Sequence, residues 1–397
     1  MLVHAYYDED PRVRREAESL VAAGRPVDVF GLRRDGDDAH GVLDGVTVHR
    51  LDVRRHQGAG IGTYLLEYAA FMLRASWALT RAHARRHYAL VQVHTPPDLL
   101  AFSALPVHVA GVPILLDLHE AMPEFFRSRF PRASNPVIHR LLLWSERLSI
   151  AVASRAVTVN QAMADRLIAL GVPGRKLGVV VNSPSLARFD ASRFPRRPFA
   201  DDGTIRLVYA GALTPTYEVD VAIAAIADLR VRRPDLRITL DVYGRGDAAE
   251  PWANAAREQG VDEAVTFHGR IPIEDVPEAV ARADIGIAPT RRDPFTDVSL
   301  STKVFEYAAM GKPVVATHLP MVEKTFPAGT VRTYEPGDPI ALAAQIEAIV
   351  DDPLAREAAV ERTAAIVAGA AWEHEAQGYL ALVESLASDG AARGTRA

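Results

Sequence analysis

The 397-residue sequence contains no cysteine. That removes disulfides, thiol nucleophiles and cysteine-ligated zinc, and it fits a reducing compartment. No apolar run approaches the roughly 20 residues that a membrane-spanning helix needs. The start, Met1-Leu2-Val3-His4-Ala5-Tyr6-Tyr7-Asp8, lacks the basic stretch and long apolar core of a signal peptide. A cytoplasmic protein is therefore expected. A net charge of -5 gives no argument for nucleic acid, and there is no basic patch or aromatic platform to supply one. The P-loop, G-x-S-x-G and H-E-x-x-H motifs are all missing. Two D-x-D patterns occur, Asp8-Glu9-Asp10 and Asp35-Gly36-Asp37. The first reads as a helix cap and the second as a turn tip, so no metal site is expected.

What is present is a large core in a globular composition. Hydrophobic residues make up 49% and charged residues 24%. The first half alternates strands and helices. Leu2–Ala5, Val27–Leu32, Val46–Leu51, Leu90–His94, Pro113–Asp117, Ala156–Val159 and Lys176–Val181 read as strands. Helices are expected from Asp10-Pro11 to Ala23, then at Tyr64–His87, Leu99–Ala110, Asn135–Ala153 and Gln161–Leu170. Phe194-Pro195-Arg196-Arg197-Pro198 reads as a linker. The pattern then restarts. Strands are expected at Ile205–Gly211, Arg237–Tyr243, Val265–Phe267, Ile285–Ala288, Pro313–Thr317 and Gly329–Arg332, with helices between them. Three helices follow, and Ser388–Ala397 reads as a frayed tail. The expectation is an α/β chain of two doubly wound, Rossmann-like domains facing a central cleft. The domains span residues 1–183 and 205–370, joined by a linker at 184–204, and the 371–397 helix packs back on the first domain.

The most informative stretch runs from Ser299 to Thr317 and reads as helix, turn and buried strand. Ser299, Ser301 and Thr302 all suit the N-cap. Val304, Phe305, Ala308 and Ala309 recur at helical spacing, and Gly311 is the stop. Lys303 and Glu306, three apart, share one side of the helix start. The free amides of a helix N-terminus suit a phosphate, and a carboxylate one turn in suits a pair of sugar hydroxyls.

Four earlier segments set this stretch in context: Tyr209-Ala210-Gly211-Ala212-Leu213, Asp241-Val242-Tyr243-Gly244-Arg245-Gly246, Val265-Thr266-Phe267-His268-Gly269-Arg270 and Ala283-Asp284-Ile285-Gly286-Ile287-Ala288-Pro289. Their order resembles the donor-binding domain of retaining GT-B glycosyltransferases of family 4. The resemblance covers residues 205 to 350 and extends to Asp10–Glu16 and Asp117-Leu118-His119-Glu120. It implies sugar transfer from a UDP- or GDP-linked donor to an acceptor hydroxyl, with retention, no metal and no cofactor beyond the donor. The acceptor would be a sugar, a lipid-linked molecule or a small molecule. Glu306 matches the acid that accepts from the donor ribose. Lys303 lies where a cation meets the diphosphate, with amides from Ser301, Thr302 and Val304. Gly211 matches a glycine that lets backbone approach the phosphate or sugar, and Arg270 falls near the nucleobase. Gly244 and Gly246 match a turn needed for the loop rather than for contact. His119 matches a histidine near the sugar. His119 and Lys303 are the expected catalytic residues.

The sequence departs from the family at named positions. The acid expected ahead of Glu306 is Val298 here, with Asp297 beside it as the substitute. The usual cations after the first donor-domain strand give way to Thr214, Tyr217 and Glu218. On the acceptor side, Arg12, His94, Asp98 and Glu120 are candidate contacts, while Asn160 and Asn182 read as backbone caps. Tyr64–His87 is amphipathic and basic, which suits the inner face of an anionic membrane or a core-packed helix with a solvated end. Two other readings stay open: an inert partner or binding subunit of the same fold, and a sugar-nucleotide epimerase.

Overall fold

The computed structural model describes residues 1–56, 60–130 and 132–394. Two compact units form, Met1–Asn182 with His374–Ala397, and Ser183–Glu373.

The strands of the first unit are β1 (Leu2–Val3), β2 (Asp28–Leu32), β3 (His40–Leu43), β4 (Val46–Leu51), β5 (Val91–His94), β6 (Ile114–Leu118), β7 (Arg155–Thr158) and β8 (Leu177–Val179). They form one sheet in the order β3-β4-β2-β1-β5-β6-β7-β8. Every pairing is parallel except β3 with β4. The sequence reading missed β3. Its hairpin is closed by Asp44-Gly45, at φ 50° and 79°, the two-residue turn such a pair favours. The order reverses direction between β1 and β5, so the loops after these strands lie where a doubly wound sheet accepts ligands.

The second unit has β9 (Thr204–Ala210), β10 (Arg237–Tyr243), β11 (Val265–Gly269), β12 (Ile285–Ala288), β13 (Val314–Thr317) and β14 (Arg332–Tyr334), all parallel, in the order β11-β10-β9-β12-β13-β14. Its switch point lies between β9 and β12. Side chains alternate between two cores. Leu207 and Tyr209 join Ile223, Ile226 and Leu342 on one face. Val208 joins Val304, Phe305 and Tyr307 on the other.

Several expectations are corrected here. The last strand begins at Arg332, not Gly329. Gly329 sits at φ 82°, and the Thr330 N–H and hydroxyl both bond to Pro327 O, so this segment is a turn. Short helices at Met122–Arg129 and Pro320–Thr325, each with proline in its first turn, were not anticipated. The long helix starts at Ile61. The final helix, Trp372–Gly394, continues through most of the expected tail, and residues 395–397 lie outside the described residues.

Candidate functional site

Helix Thr302–Ala309 buries Lys303, Val304, Phe305, Tyr307 and Ala308. Gly311, at φ 67°, ends it, and Lys312 N–H returns to Tyr307 O. Tyr307 ties the helix to the sheet. Its hydroxyl accepts from Ala210 N at 2.9 Å. Its ring comes within 2.3 Å of where a Cβ on Gly286 would lie, so that strand position admits only glycine.

Lys303 is 7% exposed. Its ammonium lies 3.9 Å from the ring centre of Tyr217 and 5.3 Å from that of Tyr209. Its stem crosses Gly211, where a Cβ would fall 2.0 Å from Lys303 Cε. Among the described residues no carboxylate pairs with it. Aromatic faces give a cation about 0.5–2 kcal/mol of attraction but no counter-charge, so an anion reaching this lysine would meet an ammonium that no carboxylate neutralises.

The loops around this lysine are held by backbone. Gly211 N donates to Tyr243 O at 2.9 Å, and Leu213 N donates to Arg245 O at 3.0 Å. A Cβ on Gly244 would meet Gly211 O at 1.8 Å, and one on Gly246 would meet Leu213 O at 2.0 Å. Glu218, at the end of the same loop, accepts from Gly337 N at 3.0 Å. Burial raises its pKa against the pull of that bond and of Arg291.

The other donor-side candidates are spread more widely. Ser301 is the N-cap residue, but its hydroxyl caps nothing: Oγ is buried without a partner. Ser299 Oγ donates to Phe295 O. Thr302 is half-buried and Val304 fully buried, so Val304 can offer backbone only. Glu306 is half-buried. Asp297 pairs with Arg292 at 3.1 Å, so its carboxylate is already engaged. Arg270 is exposed beyond β11, two strands away from β9.

In the first unit the sheet register sets His94 opposite Asp117. Asp117 Oδ2 accepts from His94 Nδ1 at 2.9 Å and from His119 Nε2 at 2.8 Å, and the two nitrogens are 3.2 Å apart. All three residues are buried. Burial would raise the Asp117 pKa, but His119 and His94 outweigh it and hold the carboxylate well below its usual range. Burial lowers that of His94. Glu16, from helix Pro11–Ala22, accepts from Gln92 Nε2 at 2.5 Å, and burial followed by the Asp117 charge pushes its pKa well up.

Arg12 forks onto Asp10, with Nε and Nη2 each 3.2 Å from a carboxylate oxygen. Asp10 also caps the helix through Arg12 N, as its place in the first D-x-D suggested. Arg12 acts electrostatically on Glu120 and Asp117 as well as Asp10, so these residues form one group with the histidines. Asp98 stands apart. It is 3% exposed, and neither carboxylate oxygen has a hydrogen-bond partner. Burial, then the Glu146 charge, raises its pKa well above the ordinary value. Asn160 caps its helix through Met163 N, whereas Asn182 Oδ1 is buried without a partner and caps nothing.

His94, Asp117 and His119 present three ligand-type atoms within 4.8 Å of one another. Their N···O separations are those of N–H···O bonds, and the Arg12 guanidinium acting on Asp117 opposes a further cation. The cluster reads as a hydrogen-bonded group.

With both sites described, two family profiles match the chain. "Glycosyl transferases group 1" covers residues 204–352, and "Glycosyl transferase 4-like domain" covers residues 10–183. The chain belongs to the GT-B glycosyltransferases of the family 4 type. Glycogen synthase of Mycobacterium tuberculosis is 27% identical over 360 residues, 87% of this chain and 83% of that one. Among solved structures, sucrose-phosphate synthase from Thermosynechococcus elongatus aligns with a TM-score of 0.76 at 20% identity, covering 94% and 92% of the two chains. Anabaena HepE in complex with UDP-glucose aligns at 0.69 and 16% identity, covering 97% and 98%. These likenesses identify the fold as GT-B.

For a glycosyltransferase of this type, the sequence reading missed several residues. Tyr217 was seen only as a replacement for lost cations, yet it carries Lys303 on its ring. Glu16, Gln92 and Tyr379 were not considered. Glu16 was detectable: it falls at helical spacing between the buried Val13 and Leu20, a carboxylate on an apolar face.

Proposed function

We propose that this glycosyltransferase moves a sugar from a UDP- or GDP-linked donor to an acceptor hydroxyl, with retention and without a metal. The observation that carries the reading is Lys303, a mostly buried lysine whose ammonium lies over two tyrosines with no carboxylate paired to it among the described residues. A diphosphate supplies the missing charge. In the transfer, the bond from the anomeric carbon to the diphosphate breaks and one to the acceptor oxygen forms. The acceptor proton passes to the departing phosphate oxygen, so no protein base is needed. The chain's part is electrostatic. Lys303 and the first amides of its helix hold the developing charge. Glu306 accepts from the ribose. His119 orients the sugar, and Arg12, His94, Asp98 and Glu120 serve the acceptor.

The acceptor reading that the surface supports is a lipid-linked one, met at the inner face of an anionic membrane. No helix among the described residues is long and apolar enough to cross a membrane. Helix Ile61–Arg86, however, exposes Leu65, Leu66, Leu73 and Trp77, the last at 67%. Its exposed charges are Arg74, Arg81, Arg85 and Arg86, while its one acid, Glu67, is buried against His4. Helix Pro136–Val152 repeats the pattern with Val137, Leu141, Trp144 and Arg140 outward and Glu146 buried on Arg166. Both helices pack on Asp98–Ala104. Apolar residues ringed by arginine suit an interfacial helix.

The test is a thermal-stability screen with UDP, GDP and their sugars. A nucleotide that binds only the folded chain raises Tm, and Lys303→Ala should abolish that rise without lowering the ligand-free Tm by more than a few degrees. A wild type blind to every nucleotide, or a Lys303→Ala protein that responds like wild type, overturns the reading.

A further inference from the structure

The hairpin at one edge of the first sheet carries a histidine on each strand. β3 and β4 pair antiparallel, with His40 directly opposite His49. Side chains so placed share one face and meet. The two Nδ1 atoms are 3.1 Å apart. Neither residue belongs to the groups described above.

His49 is held from behind. Its ring stacks on Phe30, with centroids 4.6 Å apart and planes at 12°. Its Nε2 is buried and lies 3.5 Å from Asp28 Oδ2. Asp28 accepts from Arg86 Nη1 at 2.7 Å and from the Tyr88 hydroxyl. Burial would raise the Asp28 pKa, but His49, Tyr88 and Arg86 outweigh it and keep the carboxylate ionised. A lone pair on Nε2 would face that charge. The proton therefore sits on Nε2, and Nδ1 keeps its lone pair toward His40. His40 is exposed, so its own proton can sit on either nitrogen. On Nδ1 it bridges the two rings. On Nε2 it leaves two lone pairs converging on one point.

The spacing suits a metal ion. Two nitrogens that each lie about 2.0–2.1 Å from one ion are about 2.9 Å apart at a right angle and about 3.3 Å apart at the tetrahedral angle. The 3.1 Å here falls between these. A carboxylate behind a ligating imidazole is its usual companion. Positive charge is turned away: Arg86 is paired with Asp28, and Arg50 lies over Gly41, on the opposite face of the hairpin. The buried His94–Asp117–His119 group differs, because there an ionised carboxylate already takes a proton from each ring.

We propose that His40 and His49 form a binding site for a divalent transition ion of the Ni²⁺, Cu²⁺ or Zn²⁺ class, held through both Nδ1 atoms with water completing its coordination. Imidazole nitrogen selects such an ion over Mg²⁺ and Ca²⁺, which seek oxygen. The ion ties β3 to β4 and so fixes the edge of the sheet. It takes no part in the sugar transfer proposed above.

Calorimetric titration of the untagged chain with Ni²⁺ at pH 8 tests the site. Wild type should bind one ion more than His40→Ala, and should keep that ion in excess Mg²⁺. The His40 side chain is exposed, so its removal should leave the fold intact. His49→Ala should lose the same ion. In ¹⁵N–¹H spectra of histidine-labelled protein, Zn²⁺ should shift the Nδ1 signals of His40 and His49 and leave both Nε2 atoms protonated. Equal Ni²⁺ stoichiometry in wild type and His40→Ala overturns the site, and so does loss of the ion to Mg²⁺. The Tm response of His40→Ala to nucleotides should be that of wild type, which keeps this test separate from that of the transfer.

Discussion

Gly211 and Lys303 compete for one space: a methyl group on the glycine would sit 2.0 Å from the lysine's Cε and 2.7 Å from its Nζ. The glycine is required by the lysine's path over Tyr217, not by backbone conformation, since its φ lies outside the left-handed region. The clash is with the free end of a flexible side chain. Gly211→Ala should therefore fold, losing about 1 kcal/mol or less, while displacing the ammonium. Nucleoside diphosphate binding should weaken on the order of tenfold, a loss of about 1.4 kcal/mol. Lys303→Ala should cost at least as much, and the double variant no more than Lys303→Ala alone. Calorimetry with UDP and GDP reads all three. Additive losses would separate the two residues. Gly244→Ala is the contrast. It has φ 141°, and its Cβ would meet backbone, Gly211 O at 1.8 Å. It should cost several kcal/mol of stability, about 2–4, and a Tm equal to wild type would sink that account.

Glu306 is half-buried one turn inside the helix. A carboxylate accepting from a ribose diol makes two charge-assisted bonds, each worth about 1.5–3 kcal/mol. Glu306→Gln keeps the shape and removes the charge. It should weaken binding of UDP or GDP about tenfold or more and leave inorganic diphosphate binding nearly untouched. If both ligands weaken equally, Glu306 does not read the ribose.

The αβ alternation was legible because buried parallel strands are short apolar runs and their helices carry clear stops, as Gly24 and Gly311 do. Helix Thr302–Ala309 was legible as well, with Ser301 one of the three N-caps expected for it and Gly311 its stop. Two kinds of feature stayed hidden. One depends on side-chain path: nothing in Thr214–Glu218 says that Tyr217 turns under Lys303, a residue 86 positions away. The other depends on pairing across the fold. Gln92 reads as the polar position of a strand until Tyr379 and Glu16 are placed on either side of it. Lys303 and Glu306 share one side of the helix start, yet the ammonium lies over the tyrosine rings, since a three-residue interval allows contact without compelling it.

Glu16 makes stability depend on pH. Its pKa in the folded chain lies well above the ordinary glutamate value, through burial first and the Asp117 charge second. Above about pH 4.3 the unfolded chain gives up this proton while the folded chain keeps it. The folded state then binds more protons, so this stabilisation is fully present at lower pH and is lost as pH rises through the folded pKa. Gln at this position can still accept from Gln92 and does not titrate. The Tm of Glu16→Gln should therefore gain on wild type as pH rises from 5 to 8. Parallel Tm curves would show that Glu16 ionises normally.

The apolar faces of helices Ile61–Arg86 and Pro136–Val152 yield the last prediction. Trp77 and Trp144 are 67% and 60% exposed, and each shares its helix with exposed arginines and no exposed acid. Such a surface gains from two terms, apolar insertion and attraction to anionic lipid at about 1 kcal/mol per cation. The terms separate by experiment. Sedimentation with phosphatidylglycerol vesicles should carry the protein down at low salt, and phosphatidylcholine vesicles should carry far less. Trp77→Ala with Trp144→Ala should weaken binding at every salt concentration. Arg74→Ala with Arg81→Ala and Arg140→Ala should weaken it mainly at low salt, because screening already removes the charge term at high salt. Neither set touches Lys303 or His119, so the Tm response to nucleotide should be that of wild type. Equal binding to neutral and anionic vesicles would discard the charge argument, and no binding to either would discard the surface.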